Sequence, residues 1–262
     1  MTRRVVVVGH GVIGARVAGE LAKGGVPGAE LVGIVARSVL QDPPAPQCTL
    51  EEALRIADVV VECAGQPVVH EIIDPVLGGG VDLVVTSVGA LLDEQLEARL
   101  GSLGPGRLIG THGAVGGLDL LASAARAGGL DVVRLRTTKK SSSLVREWMS
   151  QERAAEILAA GDPISVFSGS ADEAARLFPD SLNVVAALAT AVGSTQRVDV
   201  ELVGDPAASM TTHEITATGE LGEYHFTIRN TPSSQNPRTS AVTAWSVLQT
   251  VASLTDRAPL IA

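Results

Sequence analysis

The sequence predicts an α/β fold: a doubly wound parallel sheet at the N-terminal end, followed by a second, α+β domain built on a mixed or antiparallel sheet. Three observations predict it. Short β-branched runs alternate with longer helical ones through the first 112 residues, the pattern of parallel strands joined by crossover helices. A glycine-rich turn, Gly9-His10-Gly11-Val12-Ile13-Gly14, links the first such run to the first helix. After Gly113 the rhythm changes to strands that alternate apolar with polar residues.

Taken in order, Arg4 to Val8 is the first strand, and Val12 to Lys23 is a helix with apolar residues at Val12, Ile13, Val17, Leu21 and Ala22, ended by Gly24-Gly25. Leu31 to Ala36 is the second strand. Pro43, Pro44 and Pro46 mark a loop, and Thr49-Leu50-Glu51-Glu52 is a capping box that opens a short helix. Strands over Asp58 to Cys63, Leu83 to Ser87 and Arg107 to Thr111 enclose helices over Pro67 to Leu77 and Asp93 to Leu103. In the second half, strands are expected over Val132 to Thr138, Ile164 to Ser168, Val198 to Val203, Ile215 to Thr218 and Tyr224 to Arg229. Helices are expected over Leu144 to Ala160, Ala171 to Phe178 behind a Ser170/Glu173 capping box, and Leu182 to Ala191. A last helix follows Pro237, over about Thr239 to Leu254. Residues 1–112 and 113–237 are thus read as two domains, with 238–262 a candidate to pack back on the first.

Composition narrows the function. Hydrophobic residues at 45% and charged ones at 19% fit a large core and exclude disorder. Twenty Lys and Arg against twenty-nine Asp and Glu give a net charge of -9, with no basic face of the kind that tracks phosphates, so no nucleic-acid partner is expected. No apolar run reaches the roughly 18 residues of a membrane span, and a cytoplasmic protein with no membrane partner is expected. Cys48 and Cys63 cannot make a disulfide framework or a four-Cys zinc site, and reduced thiols suit that compartment. No metal site is expected.

The chemistry begins at the glycine turn. A GxGxxG between a strand and a helix is the context that dinucleotide binding needs. Gly9 permits the tight turn, Gly11 lets backbone approach a diphosphate, Gly14 lets helix and strand pack, and Val12 and Ile13 start the helix whose amides meet the diphosphate. This is the Rossmann fingerprint. The second strand ends in Val35-Ala36-Arg37-Ser38 without the acid that usually takes the adenosine ribose hydroxyls, so Arg37 and Ser38 point to a 2′-phosphate, and to NADP or both cofactors; Asp42 is the weaker alternative for NAD.

Of five histidines, His10 lies in the glycine turn, His70 reads as structural, His225 as a surface residue, and His112 follows the fifth strand at the ligand-binding edge of the sheet. His213 stands in Thr211-Thr212-His213-Glu214-Ile215, just before an expected strand. His213-Glu214 is not a zinc-protease motif, since position 217 is Ala, and Thr86-Ser87-Val88-Gly89 is not a nucleophile elbow.

Beyond the fingerprint, a succession of short motifs runs through nearly the whole chain: Glu62-Cys63-Ala64-Gly65-Gln66, Ser87-Val88-Gly89-Ala90-Leu91, Gly113-Ala114-Val115-Gly116-Gly117-Leu118-Asp119, Phe178-Pro179, Asn183-Val184, Asp205-Pro206, His213-Glu214-Ile215 and Asn236-Pro237-Arg238-Thr239-Ser240. In order and spacing the chain resembles the L-aspartate dehydrogenase family. The resemblance implies oxidative deamination of L-aspartate with NAD or NADP, in service of NAD biosynthesis, and a homodimer or higher oligomer built through the second domain's sheet. It makes residues 113–237 the catalytic and oligomerisation domain, and it matches His213 to the family's catalytic histidine. Ala114 and Asn183 match positions that contact the nicotinamide cofactor, and Ala64, Gly65 and Ser87 join the cofactor set.

An amino-acid dehydrogenase needs a base near the amine, because the nitrogen lone pair must push as hydride leaves, and imidazole suits that task. The substrate's two carboxylates need donors, for which the amides after Gly116 and Gly117, the Thr211 and Thr212 hydroxyls, and Lys139, Lys140 or Arg238 are candidates. Two departures from the family's pattern bear on this. Thr211 stands where members commonly carry Asn, offering one donor instead of two, and the segment Lys139-Lys140-Ser141-Ser142-Ser143 lacks the prolines often found after the family's basic residue. Two alternatives stay open: a dehydrogenase or reductase of another amino acid or cyclic imine, and an NAD(P)-sensing protein without turnover.

Overall fold

The computed structural model describes residues 1–178, 183–236 and 239–255. They form two compact units, residues 1–113 with 243–255, and residues 114–242.

The first unit carries β1 (Arg3–Val8), α1 (Val12–Ala22), β2 (Ala29–Val35), α2 (Leu50–Ile56), β3 (Val59–Glu62), α3 (Gln66–Gly78), β4 (Asp82–Val85), α4 (Glu94–Leu100) and β5 (Leu108–Gly110). The strands lie in the order β2-β1-β3-β4-β5 and all pair in parallel. β1 has β2 on one side and β3 on the other, so the order reverses at β1/β3, the switch point where open α/β sheets take ligands. The near-continuous valine runs of β1 and β3 follow from burial on both faces, since Val5, Val6, Val7, Val59, Val60 and Val61 have no exposed surface. α2 opens on the expected capping box, with Thr49 and Glu52 satisfying each other's backbone. The helix α9 (Thr243–Ser253) presents Ala244, Val247, Leu248 and Val251, a stripe at helical spacing, to a cluster with Val17, Ala18 and Leu21 of α1. Each such aliphatic side chain contributes about 1.5–3 kcal/mol of burial.

The second unit carries α5 (Leu118–Arg126), β6 (Val132–Lys140), α6 (Gln151–Ala159), β7 (Ile164–Ser170), α7 (Ala171–Leu177), α8 (Asn183–Val192), β8 (Val198–Asp205), β9 (Thr211–Gly219) and β10 (Gly222–Asn230). Its sheet is mixed, in the order β10-β9-β6-β8-β7, with β6 and β8 parallel and the other pairs antiparallel. The period-2 pattern puts Val133, Leu135, Thr137, Val198, Val200, Leu202, Thr211, His213, Ile215 and Ala217 on buried positions. The intervening positions carry Arg134 and Arg136, paired with Asp199 at 3.8 Å and Glu201 at 3.4 Å across β6 and β8.

Two expectations are corrected. The helix expected over Leu144 to Ala160 begins only at Gln151, because Ser150 takes an extended N-cap conformation and accepts from the Arg153 amide at 3.1 Å, while Ser141–Ser143 form a single 3₁₀ turn. β9 begins at Thr211, so His213 lies within the strand and not before it. α5, whose bounds the sequence pattern leaves open, starts at Leu118 behind Gly117 in the left-handed conformation. Leu182, Pro179, Pro237 and Arg238 lie outside the described residues. No described helix is long and apolar enough to cross a membrane.

Candidate active site

In the first unit the three glycines of the turn have three different reasons to lack a side chain. Gly9 has φ +94°, and a Cβ there would lie 2.7 Å from the Cys63 carbonyl oxygen. A Cβ on Gly14 would lie 2.0 Å from the Gly9 carbonyl oxygen, so the turn and α1 touch through bare backbone. Around a Cβ on Gly11 there is nothing within 4 Å. Gly11 is the N-cap of α1 and no side chain caps that helix. Open space over uncapped helix amides at the switch point fits a diphosphate, and Val12 and Ile13 supply the first amides of α1.

Arg37 and Ser38 are exposed just past β2. The loop holding them is braced by Gln47, whose Nε2 donates to the carbonyls of Ala36 at 3.1 Å and Ser38 at 2.9 Å and whose Oε1 accepts from the Leu40 amide at 3.0 Å. Asp42 is exposed at φ +47°. After β3, Ala64 is exposed and Gly65, at φ +118°, caps α3; after β4, Ser87 is buried. His112 is exposed beyond β5, and His70 lies on the exposed face of α3.

In the second unit His213 is 2% exposed, and its Nδ1 lies 2.9 Å from the hydroxyl of Thr137, its cross-strand neighbour on β6. Two residues along the same face of β6 is Lys139, whose ammonium is lowered to about 8 by burial and then by the nearby Arg146. Arg146 is itself fixed, its guanidinium 5.5 Å from the Phe178 ring centre and its Nη1 donating to the carbonyls of Ser143 and Val145. Burial, and then the charge of Lys139, lower His213 to about 3. Imidazole is therefore neutral throughout the neutral range, beside a half-buried cation with no acidic ion-pair partner among the described residues. Such a place attracts an anion.

Thr211 shares the buried face of β9 with His213, while Thr212 faces the other way and is half-exposed. Ala114 is held by Asn230, whose Nδ2 donates to its carbonyl at 2.7 Å. Gly116 has open space around it. Gly117 has φ +79°, and a Cβ there would meet the Phe226 ring at 2.5 Å, so the backbone leading into α5 lies against that ring. Asn183 is exposed at the start of α8, His225 is exposed and 2.6 Å from Glu223, and Arg238 lies outside the described residues. The fold thus places His213, Lys139 and Thr211 on the same buried sheet face, and leaves Lys140 exposed at the strand's end. Thr137, Asn230 and Gln47 carry no motif; only the polar run Thr137-Thr138-Lys139-Lys140, where the apolar alternation of Val133 and Leu135 stops, signals the first of them.

No group of three or more His, Cys, Asp or Glu among the described residues is placed to hold a metal ion.

Comparison with known proteins agrees with this picture. Residues 119–254 match the family model described as aspartate dehydrogenase, C-terminal, and residues 9–104 match the NAD-binding domain of homoserine dehydrogenase. The chain is 34% identical to an L-aspartate dehydrogenase of Bordetella bronchiseptica over 252 residues, covering 93% of this chain and 92% of the relative. It is likewise 34% identical to that of Methanosarcina barkeri over 260 residues, covering 95% of each. Among solved structures, aspartate dehydrogenase from Thermotoga maritima superposes with a TM-score of 0.76 at 25% identity, covering 99% of this chain and 100% of that one.

Proposed function

The chain belongs to the aspartate dehydrogenase family, and from that premise we propose that it catalyses the NAD(P)-dependent oxidative deamination of L-aspartate, with His213 as its acid-base group. The reaction gives iminoaspartate, and then oxaloacetate and ammonia on hydrolysis. NAD(P)⁺, when bound, supplies the acceptor for the hydride that leaves the α-carbon.

The observation that carries the reading is the buried Thr137–His213–Lys139 group on one sheet face. With Nδ1–H donated to the Thr137 hydroxyl, Nε2 is the nitrogen left to take a proton from the substrate ammonium. Lys139 pairs a substrate carboxylate; burial first, and then the Lys139 charge, keep His213 weakly basic in the free protein, and the substrate's negative charge offsets the second of these. Once it has passed that proton to solvent, the same imidazole takes another from the water that attacks the imine carbon. Thr211 supplies a further hydroxyl on that face, and the amides after Gly116 and Gly117 a second anion-binding position.

In the first unit, the open Gly9–Gly14 turn with Val12 and Ile13 takes the diphosphate, and Ala64, Gly65 and Ser87 line the remainder; Ala114 and Asn183, in the second unit, match family positions that contact the nicotinamide cofactor. Arg37 and Ser38, exposed on the Gln47-braced loop, favour NADP or dual use. The protein is a homodimer or higher oligomer through the sheet of its second unit, whose solvent face pairs Arg136 with Glu201. It works in the cytoplasm, where Cys48 and Cys63 stay as free thiols, and it serves NAD biosynthesis.

Thr211 sustains a second reading, oxidation of a different amino acid, because one hydroxyl recognises a carboxylate less completely than an amide does. Initial rates with L-aspartate, D-aspartate, glutamate and alanine, each with NAD and NADP, test the choice. L-aspartate is expected to exceed the others in kcat/KM by at least about 10²-fold; a preference for another amino acid favours the second reading, and no turnover of any rejects both.

A further inference from the structure

Glu62, the last residue of β3, has no surface exposed to solvent, and five hydrogen bonds converge on its carboxylate. Oε1 accepts from the amides of Ala64 and Gly65, each at 2.7 Å, and from the Ser87 hydroxyl at 2.9 Å. Oε2 accepts from the amides of Ser87 at 2.9 Å and Thr86 at 3.2 Å. A carboxylate offers about four lone-pair positions, so these donors use its full accepting capacity. The donors belong to two different turns. Ala64 and Gly65 follow β3, Thr86 and Ser87 follow β4, and both turns lie at the carboxyl edge of the sheet.

The strand order assigns this edge a role. β2, whose end carries Arg37, lies on one side of the β1/β3 switch point; β3 and β4 lie on the other. In such sheets the residues after β2 take the adenosine ribose, which leaves the turns after β3 and β4 to the nicotinamide half of a dinucleotide.

We infer that Glu62 is a positioning residue of the cofactor site, tying the turns after β3 and β4 into one fixed rim for the nicotinamide half of the dinucleotide. The inference rests on the reading of this unit as a dinucleotide site. Gly65 at φ +118° is part of the same device, because only that turn aims the Ala64 and Gly65 amides back at one oxygen. Glutamine at position 62 keeps the shape and loses the function: its NH₂ replaces either Oε1, facing the Ala64 and Gly65 amides, or Oε2, facing those of Thr86 and Ser87. In either orientation two backbone donors meet a donor.

The test is fluorescence and calorimetric titration of the whole chain with NADH and with ADP-ribose, the same molecule without its nicotinamide. Glu62→Gln is expected to weaken NADH by about 10-fold or more while changing ADP-ribose by less than about 3-fold. Equal losses for the two ligands, or none, overturn the assignment, because a residue that merely supports the fold does not distinguish them. Should Glu62→Gln not fold, Glu62→Asp carries the test, since its shorter side chain keeps the charge but cannot reach the donors of both turns at once; NADH weakened by about 3-fold or more with ADP-ribose unchanged supports the tie, and unchanged NADH overturns it. A wild-type chain that takes neither of these ligands nor NADPH rejects the cofactor reading itself, and the role of Glu62 with it.

Discussion

Lys139 holds a charge where burial and a neighbouring guanidinium both oppose it, and its ammonium falls to about 8 in consequence. A dianion restores the balance, so dicarboxylate binding favours the protonated form. Succinate, which has two carboxylates and no amine to titrate, isolates the effect. Its inhibition constant is expected to be flat between about pH 6.5, above which succinate is a dianion, and pH 8, and to weaken toward about tenfold per pH unit above it. His213, at about 3, stays neutral across that range and adds no second step. In Lys139→Met the constant is expected to be weaker and independent of pH; a wild-type profile without the break removes Lys139 from the carboxylate site. At this scale the sequence made His213 legible through its motif, and Lys139 as one cation among several. Thr137 was hidden, because it meets His213 from 76 residues away and no local pattern encodes that pairing.

At the scale of elements, the turn between β1 and α1 separates a structural glycine from a functional one. Gly11 has ordinary dihedrals, φ -78° and ψ -165°, and empty space around it, so Gly11→Val costs the fold at most about 1 kcal/mol. It is nonetheless expected to lower NADH affinity by about 10²-fold or more, because the branched side chain occupies the space that a diphosphate needs. Gly14→Val is expected to unfold or strongly destabilise the unit, since its Cβ has no room against Gly9. Thermal melts with NADH titrations separate the two, and a Gly11→Val chain with normal affinity contradicts the diphosphate assignment. The strands of the first sheet were legible because burial on both faces writes continuous apolar runs. The failure over Leu144 to Ala160 has a local cause: the Ser143 hydroxyl, which donates to the Lys140 carbonyl at 2.7 Å, and the Ser150 cap let the backbone bond to side chains instead of continuing a helix. The aromatic contacts of Phe178 with Trp148 and Phe167, each at 5.6 Å, stabilise that irregular stretch, and the apolar spacing gives no sign of them.

Across the whole molecule a net charge of -9 opposes an anionic substrate and an anionic cofactor alike. Local features must overcome that field: a half-buried lysine beside an arginine in the second unit, uncapped helix amides and an exposed arginine in the first. The change of rhythm after Gly113 made the passage from a parallel to a mixed sheet legible, because burial on two faces and on one face leave different periods. The order of strands within each sheet was not, since pairing partners are chosen by tertiary packing.

The central claim is that His213 exchanges the proton on which oxidation of L-aspartate depends, and the most direct test compares wild-type protein with His213→Ala for turnover of L-aspartate and for NADH affinity. The wild type is expected to turn over aspartate, and the variant to stay folded and bind NADH normally while losing at least about 10²-fold in kcat, the low end for removal of a positioned acid-base group. Near-normal turnover in the variant, or loss of turnover together with cofactor binding and thermal stability, would contradict the claim.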